Sequence, residues 1–365
     1  MSNKKKILYI LTKADLGGVS KYILEITEHL QDTVEPFFIM SSSGYLSEEL
    51  QKFGFSNNIH FVPMTNSISN ILLHITSILK TLKIINEIKP NIIHCNSTTG
   101  GIVGRICGFL SNTPVIFTAH GWAFTDGISK GKQIFYKVLE SLLAVFTKKI
   151  ICVSEFDRQI ALKVMPIFKK KLITIHNGIS DIDEKFIKKD FSTDKIKIVM
   201  ISRFCPQKDP YTLIFAVSDL IKEGYDIRLD LFGYGEELDR VLECIKSQNT
   251  DKIQYKGEIS DVTPILKDYD IYSLISNWEG LPIGIIEGMR AGLPILVSDV
   301  GGNSECVKNN GYLVKRQDIQ DCIKQIRYFG DNRVHLVQLG QRSKELFEEE
   351  FCLQKMLEET IKQYE

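Results

Sequence analysis

Short apolar runs recur along this chain with helical segments between them, and that alternation leaves few folds open. The runs fall at residues 7–11, 36–40, 59–62, 92–94, 115–118, 150–153 and 172–175, with helical patterns at 19–30, 68–88 and 134–146. Strands alternating with helices of this length predict parallel sheets covered by helices on both faces. A polar stretch, 177–195, opens on the turn signal Asn177-Gly178 and breaks the series. A second series follows at 196–202, 227–232, 253–255, 271–274, 295–298 and 312–314. At 365 residues the chain exceeds one ordinary core, so two α/β domains are expected. The expected division is 1–177, a linker 178–195, a second domain 196–341, and a charged C-terminal helix over 342–365. Ser154-Glu155-Phe156-Asp157 reads as a capping box and needs no role beyond starting a helix.

The apolar fraction of 44% and charged fraction of 25% are those of a soluble globular protein. No run approaches the ~18 apolar residues of a membrane span, and the apolar segment after Lys4-Lys5-Lys6 is too short for a signal-peptide core. Eight scattered cysteines without zinc spacing suit free thiols in a reducing cytoplasm. The net charge of zero is uneven. Residues 1–176 hold 20 Lys and Arg against 12 Asp and Glu, a net of +8, and the remainder carries the opposite excess. The first half is thus expected to meet something anionic. Nucleic acid is disfavoured, because the basic residues are not interleaved with aromatics in any recognised module. The segments 71–89 and 130–149 combine apolar faces with lysines and with Phe135, Tyr136 and Phe146. Core-facing helices would look this way, and so would helices lying on an anionic membrane surface.

The chemistry concentrates in Glu279 to Glu287, E-G-L-P-I-G-I-I-E, where two carboxylates stand eight positions apart across a Gly/Pro turn. An apolar strand before the turn and a helix of about two turns after Pro282 would present free backbone N–H groups to a phosphate. The carboxylates beside them could accept hydrogen bonds from sugar hydroxyls. Arg203 and Lys208, in S-R-F-C-P-Q-K-D-P, follow the first strand of the second half, where open α/β sheets bind ligands. A planar fork and a point charge could grip one pyrophosphate. In T-K-A-D-L-G-G-V-S, Gly17 and Gly18 allow close approach of a ligand, although a simple strand–helix turn explains them equally well. His120 ends a strand beside Gly121. Gly233-Tyr234-Gly235 lacks the third glycine of a dinucleotide fingerprint, which argues against an oxidoreductase. Two D-x-D pairs, Asp181/Asp183 and Asp268/Asp270, lie in the linker and before a strand, and neither is read as a metal site.

The E-x7-E element with Arg203 and Lys208 resembles the family 4 retaining glycosyltransferases (glycosyl transferases group 1) of GT-B fold. The resemblance spans nearly the whole chain and is strongest over 196–306. It implies two Rossmann-like parallel-sheet domains facing an interdomain cleft, the first binding the acceptor and the second a nucleotide-sugar. Carried over residue by residue, Glu287 would bind the ribose, Glu279 the donor sugar, Arg203 and Lys208 the diphosphate, and His120 the sugar. Gly17 and Gly18 would face the diphosphate and acceptor, Gly257 and Ile259 the base, and backbone around Pro282, Ile283, Gly284 and Ile285 the phosphates. The implied reaction is transfer of a hexosyl or N-acetylhexosaminyl unit from a UDP-sugar to an acceptor hydroxyl, with no metal or other cofactor. The expected acceptor is a glycolipid or saccharide of bacterial surface polysaccharide or capsule synthesis. The expected place of action is the cytoplasm, with peripheral contact at the inner face of an anionic membrane. A nucleotide-sugar 2-epimerase of related fold and a non-catalytic sugar-nucleotide sensor are the alternatives.

Overall fold

The structure is a computed structural model and describes residues 4–65, 70–191 and 195–365, apart from the side chain of Ile71. The expected helix start at 68 and positions 192–194 of the expected linker lie outside those residues. Thirteen strands are present among the described residues: β1 (Lys5–Ile10), β2 (Val34–Met40), β3 (Ile59–Phe61), β4 (Ile92–Asn96), β5 (Val115–Ala119), β6 (Lys149–Cys152), β7 (Leu172–Thr174), β8 (Ile196–Ile201), β9 (Ile227–Phe232), β10 (Ile253–Tyr255), β11 (Ile271–Leu274), β12 (Ile295–Ser298) and β13 (Gly311–Val314). They form a seven-stranded sheet ordered β3-β2-β1-β4-β5-β6-β7 and a six-stranded sheet ordered β10-β9-β8-β11-β12-β13. Every pairing is parallel, with β1 set against β4 at Ile7–Ile92 and β8 against β11 at Ile198–Ile271.

Strand side chains alternate between the two sheet faces, and the first unit shows the consequence directly. Leu8, Ile10, Ile93, Cys95, Val115 and Phe117 join one buried cluster, together with Ile85 and Ile88 of helix Ile71–Ile88 and Val103 and Cys107 of helix Thr98–Ser111. Ile7, Tyr9, Leu11, Ile92 and Ile116 join the other, under helix Gly18–Leu30 and helix Leu353–Tyr364. Runs that are apolar at consecutive positions are therefore those of strands buried on both sides. Helix Thr98–Ser111 lies close on its sheet because it presents glycine there. A Cβ at Gly104 would stand 2.2 Å from Cys95 Sγ, and one at Gly108 2.1 Å from Val115 Cγ2.

The chain divides into two compact units, residues 1–177 with 353–365, and residues 178–352. This differs from the expected C-terminal boundary. Arg342 belongs to helix Val334–Leu346 of the second unit, and a π-helical turn, Phe347–Phe351, follows it there. Phe347 and Phe351 are fully buried, and Cys352 bridges to Ile179, so the second unit holds the chain for some ten residues past 342. Only the last helix, from Leu353, groups with the first unit. The polar stretch after Asn177 likewise packs within the second unit: Arg290 donates to Ser180 O at 2.8 Å, and Lys188 pairs with Asp270 at 3.0 Å.

In both sheets the strand order reverses at one place, between β1 and β4 and between β8 and β11. Chains leaving such neighbours go to opposite faces, which opens a crevice beyond their carboxyl ends. Thr12 and Ser97 flank the first crevice, and the loops after Ile201 and Leu274 flank the second.

Candidate functional site

Five loops at the carboxyl edge of the second sheet are tied to one another by backbone contacts. After β8, Phe204 N donates to Tyr234 O at 2.7 Å, and Glu237 N donates to Phe204 O at 3.0 Å. Gly233 and Gly235 lie directly on this loop, at φ +138° and +146°, and a Cβ on them would stand 1.8 Å from Ser202 O and 2.2 Å from Phe204 O. The G-x-G is therefore needed for close approach within the fold. Gly233 N donates to Gly257 O at 2.9 Å, which brings in the loop after β10, with Ile259 two residues on. Asp209 N donates to Ile275 O, and Asn277 N to Gln207 O, joining the Arg203–Asp209 loop to the one after β11. Gly302 N donates to Gly280 O at 2.7 Å and brings in the loop after β12.

This lacing places Lys208 against Glu279. Their side chains, 11% and 5% exposed, form an ion pair, and Gln207 Nε2 donates to the other carboxylate oxygen at 3.1 Å. Lys208 is thus engaged with Glu279, a contact that the sequence did not reveal. Arg203 is exposed and has no side-chain partner among the described residues. One ammonium proton held by Glu279 leaves Lys208 two further donors for a ligand.

Helix Ile283–Arg290 starts at Pro282, and no side chain caps it. The expected amide cradle is narrower than 282–285. Pro282 has no N–H, and the Ile285 amide donates to Pro282 O at 3.2 Å, which leaves the amides of Ile283 and Gly284 as the ones to offer an anion. Glu287 is half-buried in the second turn of this helix.

Beneath the helix lies a residue the sequence reading passed over. Tyr272, in the middle of β11, is buried, and a Cβ on Gly284 would come 2.4 Å from its hydroxyl, one on Gly288 2.5 Å from its Cγ. Burial, then the charges of Glu287 and Glu279, push its phenol well above the ordinary range, so it stays protonated between the two carboxylates. Its hydroxyl lies 3.5 Å from Ile201 O. A partial signal was available: two glycines four apart share one face of a short helix and leave room there for a bulky neighbour.

The first unit holds a cavity of about 310 Å³ at the ends of β4 and β5, lined by Val19, Ser97, Thr98, Thr99, His120 and Tyr136 among others. Gly17 and Gly18 immediately precede Val19. Gly17 has an extended backbone, and a Cβ there would meet nothing within 4 Å, so the unit's own packing does not demand glycine. His120 Nε2 sits 2.9 Å from Asn96 Oδ1, with its ring edge-on to Tyr22 at 4.8 Å. Desolvation lowers its imidazole to about 4, so it is neutral at pH 7. Three of the four D-x-D carboxylates are engaged by lysines: Asp181 by Lys344 at 2.5 Å, Asp183 by Lys185 at 2.9 Å, and Asp270 by Lys188.

His94 proves to be part of the core. It is fully buried, with Nδ1 2.7 Å from Tyr364 Oη and Nε2 2.7 Å from Thr118 Oγ1, and Tyr364 Oη in turn meets Tyr9 Oη at 3.1 Å. Burial lowers its pKa to about 3 from 6.5. The unfolded chain therefore binds a proton near pH 6.5 that the folded chain refuses until about pH 3. Stability contributed by neutral His94 is complete above pH 6.5 and falls as pH drops through that window, at up to about 1.4 kcal/mol per pH unit. His94→Gln should be less stable at pH 8 yet show a flatter decline between pH 6 and 4 in urea titrations. An unchanged slope would refute the assignment.

Comparison with known proteins agrees with this fold. The family described as Glycosyltransferase Family 4 matches residues 16–181, and Glycosyl transferases group 1 matches 181–346. A UDP-Gal:alpha-D-GlcNAc-diphosphoundecaprenol alpha-1,3-galactosyltransferase of Escherichia coli is 29% identical over 351 residues, covering 91% of this chain and 89% of that protein. The O-antigen biosynthesis glycosyltransferase WbnH of the same species is 27% identical over 329 residues, covering 90% and 91%. Among solved structures, a glycosyltransferase from Rickettsia africae superposes with TM-score 0.79 at 22% identity, covering 99% of this chain and 98% of that one. Anabaena HepE in complex with UDP and glucose superposes with TM-score 0.81 at 17% identity, covering 98% of each. With two parallel-sheet units of this topology, and both halves matched in order, the chain belongs to the family 4, group 1 glycosyltransferases of GT-B fold.

Proposed function

We propose that this protein transfers a hexosyl or N-acetylhexosaminyl unit from a UDP-sugar to an acceptor hydroxyl, with retention at the anomeric carbon, in the synthesis of a bacterial surface polysaccharide or glycolipid. The observation that carries the reading is the switch point of the second sheet, where exposed Arg203, the Lys208–Glu279 pair and an uncapped helix start at Pro282 occur together. In this reading Arg203, Lys208 and the amides of Ile283 and Gly284 hold the diphosphate, and Glu287 accepts hydrogen bonds from the ribose. The bond from the anomeric carbon to the phosphate oxygen breaks, and its electron pair stays on that oxygen. Fixed cations and N–H dipoles stabilise the growing negative charge preferentially over the ground state. Glu279 lies beside the positive charge that develops on the sugar. The acceptor oxygen forms the new bond and its proton passes to the leaving phosphate. Neutral His120 can hydrogen-bond a sugar hydroxyl without adding charge. Retention rests on family membership, and the UDP donor on what the similar proteins use or hold. The named activity of the galactosyltransferase relative supports a saccharide on a lipid diphosphate as acceptor, and the proposed place of action is the inner face of the cytoplasmic membrane.

The test begins with thermal shift against UDP and a panel of UDP-sugars. Ligand at about 100 times its Kd stabilises a folded protein by about 2.7 kcal/mol, and a shift with UDP and at least one UDP-sugar is expected. No shift with any uridine nucleotide sinks the donor assignment. Transfer should then persist in excess EDTA, because cations and amides meet the diphosphate. Loss in EDTA that magnesium or manganese restores would overturn the metal-free reading and return attention to Asp181 and Asp183. A 2-epimerase is distinguished by release of an epimerised sugar nucleotide without any acceptor, and a sensor by binding without turnover.

A further inference from the structure

Helix Lys130–Leu143 of the first unit turns apolar side chains outward. Ile134, Phe135, Val138 and Leu142 are 62%, 48%, 56% and 60% exposed. At about 100° per residue they span an arc of about 100°, a single stripe. Glu140 and Leu143 are buried on the opposite side, and Tyr136 lines the cavity that holds His120. Past the helix end the stripe continues in Phe146, whose ring lies 4.5 Å from that of Phe109, itself 62% exposed. Lys130 and Lys137 flank the stripe on one side and Lys132 on the other.

The charge that this helix exposes is of one sign for a structural reason. The helix has one acidic residue, Glu140, and Arg105 holds it inside in a bidentate pair of 2.7 and 3.1 Å. What remains outside is apolar surface edged by ammonium groups. That combination matches the boundary between acyl chains and anionic headgroups, where apolar area and each nearby lysine both add attraction. A water-facing helix would not expose these side chains together, and a protein partner would have to supply an acidic rim around an apolar groove.

We propose that the outer face of helix Lys130–Leu143, continued by Phe146 and Phe109, docks reversibly on an anionic bilayer. This deepens the lipid-linked-acceptor reading and rests on it. The same helix then sets the stripe in the membrane surface while its inner face, through Tyr136, borders the cavity that would receive the acceptor's headgroup. Among the described residues no helix is long and apolar enough to cross a membrane, and a docked face requires none.

The experiment is co-sedimentation of the full chain with vesicles of phosphatidylcholine alone or with about one third phosphatidylglycerol, at low and high salt. Wild type should bind the anionic vesicles at low salt and release at high salt. Reversing Lys130, Lys132 and Lys137 to Glu, or changing Ile134 and Val138 together to Glu, should each weaken binding by at least about tenfold. Both sets are surface changes within the first unit, so circular dichroism and the thermal shift with UDP should stay at wild-type values. Absence of vesicle binding by wild type, equal binding to neutral and anionic vesicles, or unaltered binding by both variants would each overturn the proposal. So would a dimer in sedimentation velocity that Ile134→Glu with Val138→Glu dissociates and vesicles do not bind, since the stripe would then face a second copy. A UDP shift retained without vesicle binding leaves the transferase reading standing, whereas vesicle binding without any UDP shift removes that reading and its acceptor.

Discussion

Replacing Arg203 or Glu287 with alanine should lower turnover of the UDP-sugar at least about 100-fold while leaving the fold intact. The two halves of that expectation have different sources. Arg203 is exposed and lacks a side-chain partner among the described residues, so truncating it removes little that holds the second unit together. Its worth lies in the leaving diphosphate, where loss of one fixed donor costs about 2.7–4 kcal/mol of transition-state stabilisation. Glu287 is half-buried beside protonated Tyr272, and its removal should affect donor affinity as well as rate. Lys208→Ala is the instructive contrast. It leaves the Glu279 carboxylate, 5% exposed, without its counter-ion and with Gln207 as its remaining donor, so stability should fall along with activity. The measurements are UDP release, circular dichroism and thermal midpoint on the same preparations. Near-normal turnover by folded Arg203→Ala or Glu287→Ala would remove those residues from the site.

How much of this could be read beforehand depends on the range of the interaction involved. Strand positions such as Ile227–Phe232 and Ile295–Ser298 coincide in sequence and structure, because a strand buried on both faces advertises itself in consecutive apolar residues. The helix after Pro282 was similarly local: the proline ends one conformation and the glycines permit the next. What the sequence hides is which residues meet across the fold. Lys208 and Glu279 are 71 positions apart, and only the parallel placement of β8 beside β11 brings them into one ion pair. Tyr272 looked like one more strand residue, since its function as the floor under Gly284 and Gly288 exists only once helix and strand are stacked. The boundary at 342 failed for another reason. Charge along 342–365 marks an exposed helix, but the two buried phenylalanines at 347 and 351 decide which unit holds it.

Breaking the Arg105–Glu140 pair should have the largest effect on stability of any single change in the first unit. Arg105 is fully buried and Glu140 is 2% exposed. The guanidinium also donates through Nε to Gly101 O at 2.9 Å and stacks 4.2 Å from the Phe117 ring centre. Arg105→Met leaves an ionised carboxylate enclosed without a partner, a defect that costs about 3–5 kcal/mol. Glu140→Gln should cost less, because the amide can still accept one of the arginine's hydrogen bonds. Arg105→Met combined with Glu140→Leu should recover most of the loss, since two apolar side chains need no mutual desolvation and fill similar space. Trp122 and Trp278 are the two tryptophans, one in each unit, so a Trp278→Phe background lets fluorescence of buried Trp122 follow the first unit alone through urea unfolding. A loss below about 1 kcal/mol for Arg105→Met would show that the pair contributes little. If instead the single change is severe and the double change mild, the pair is retained for orientation rather than for stability. It then serves to bind the one carboxylate of helix Lys130–Leu143 inside, and so to keep the lysine-edged apolar stripe outside.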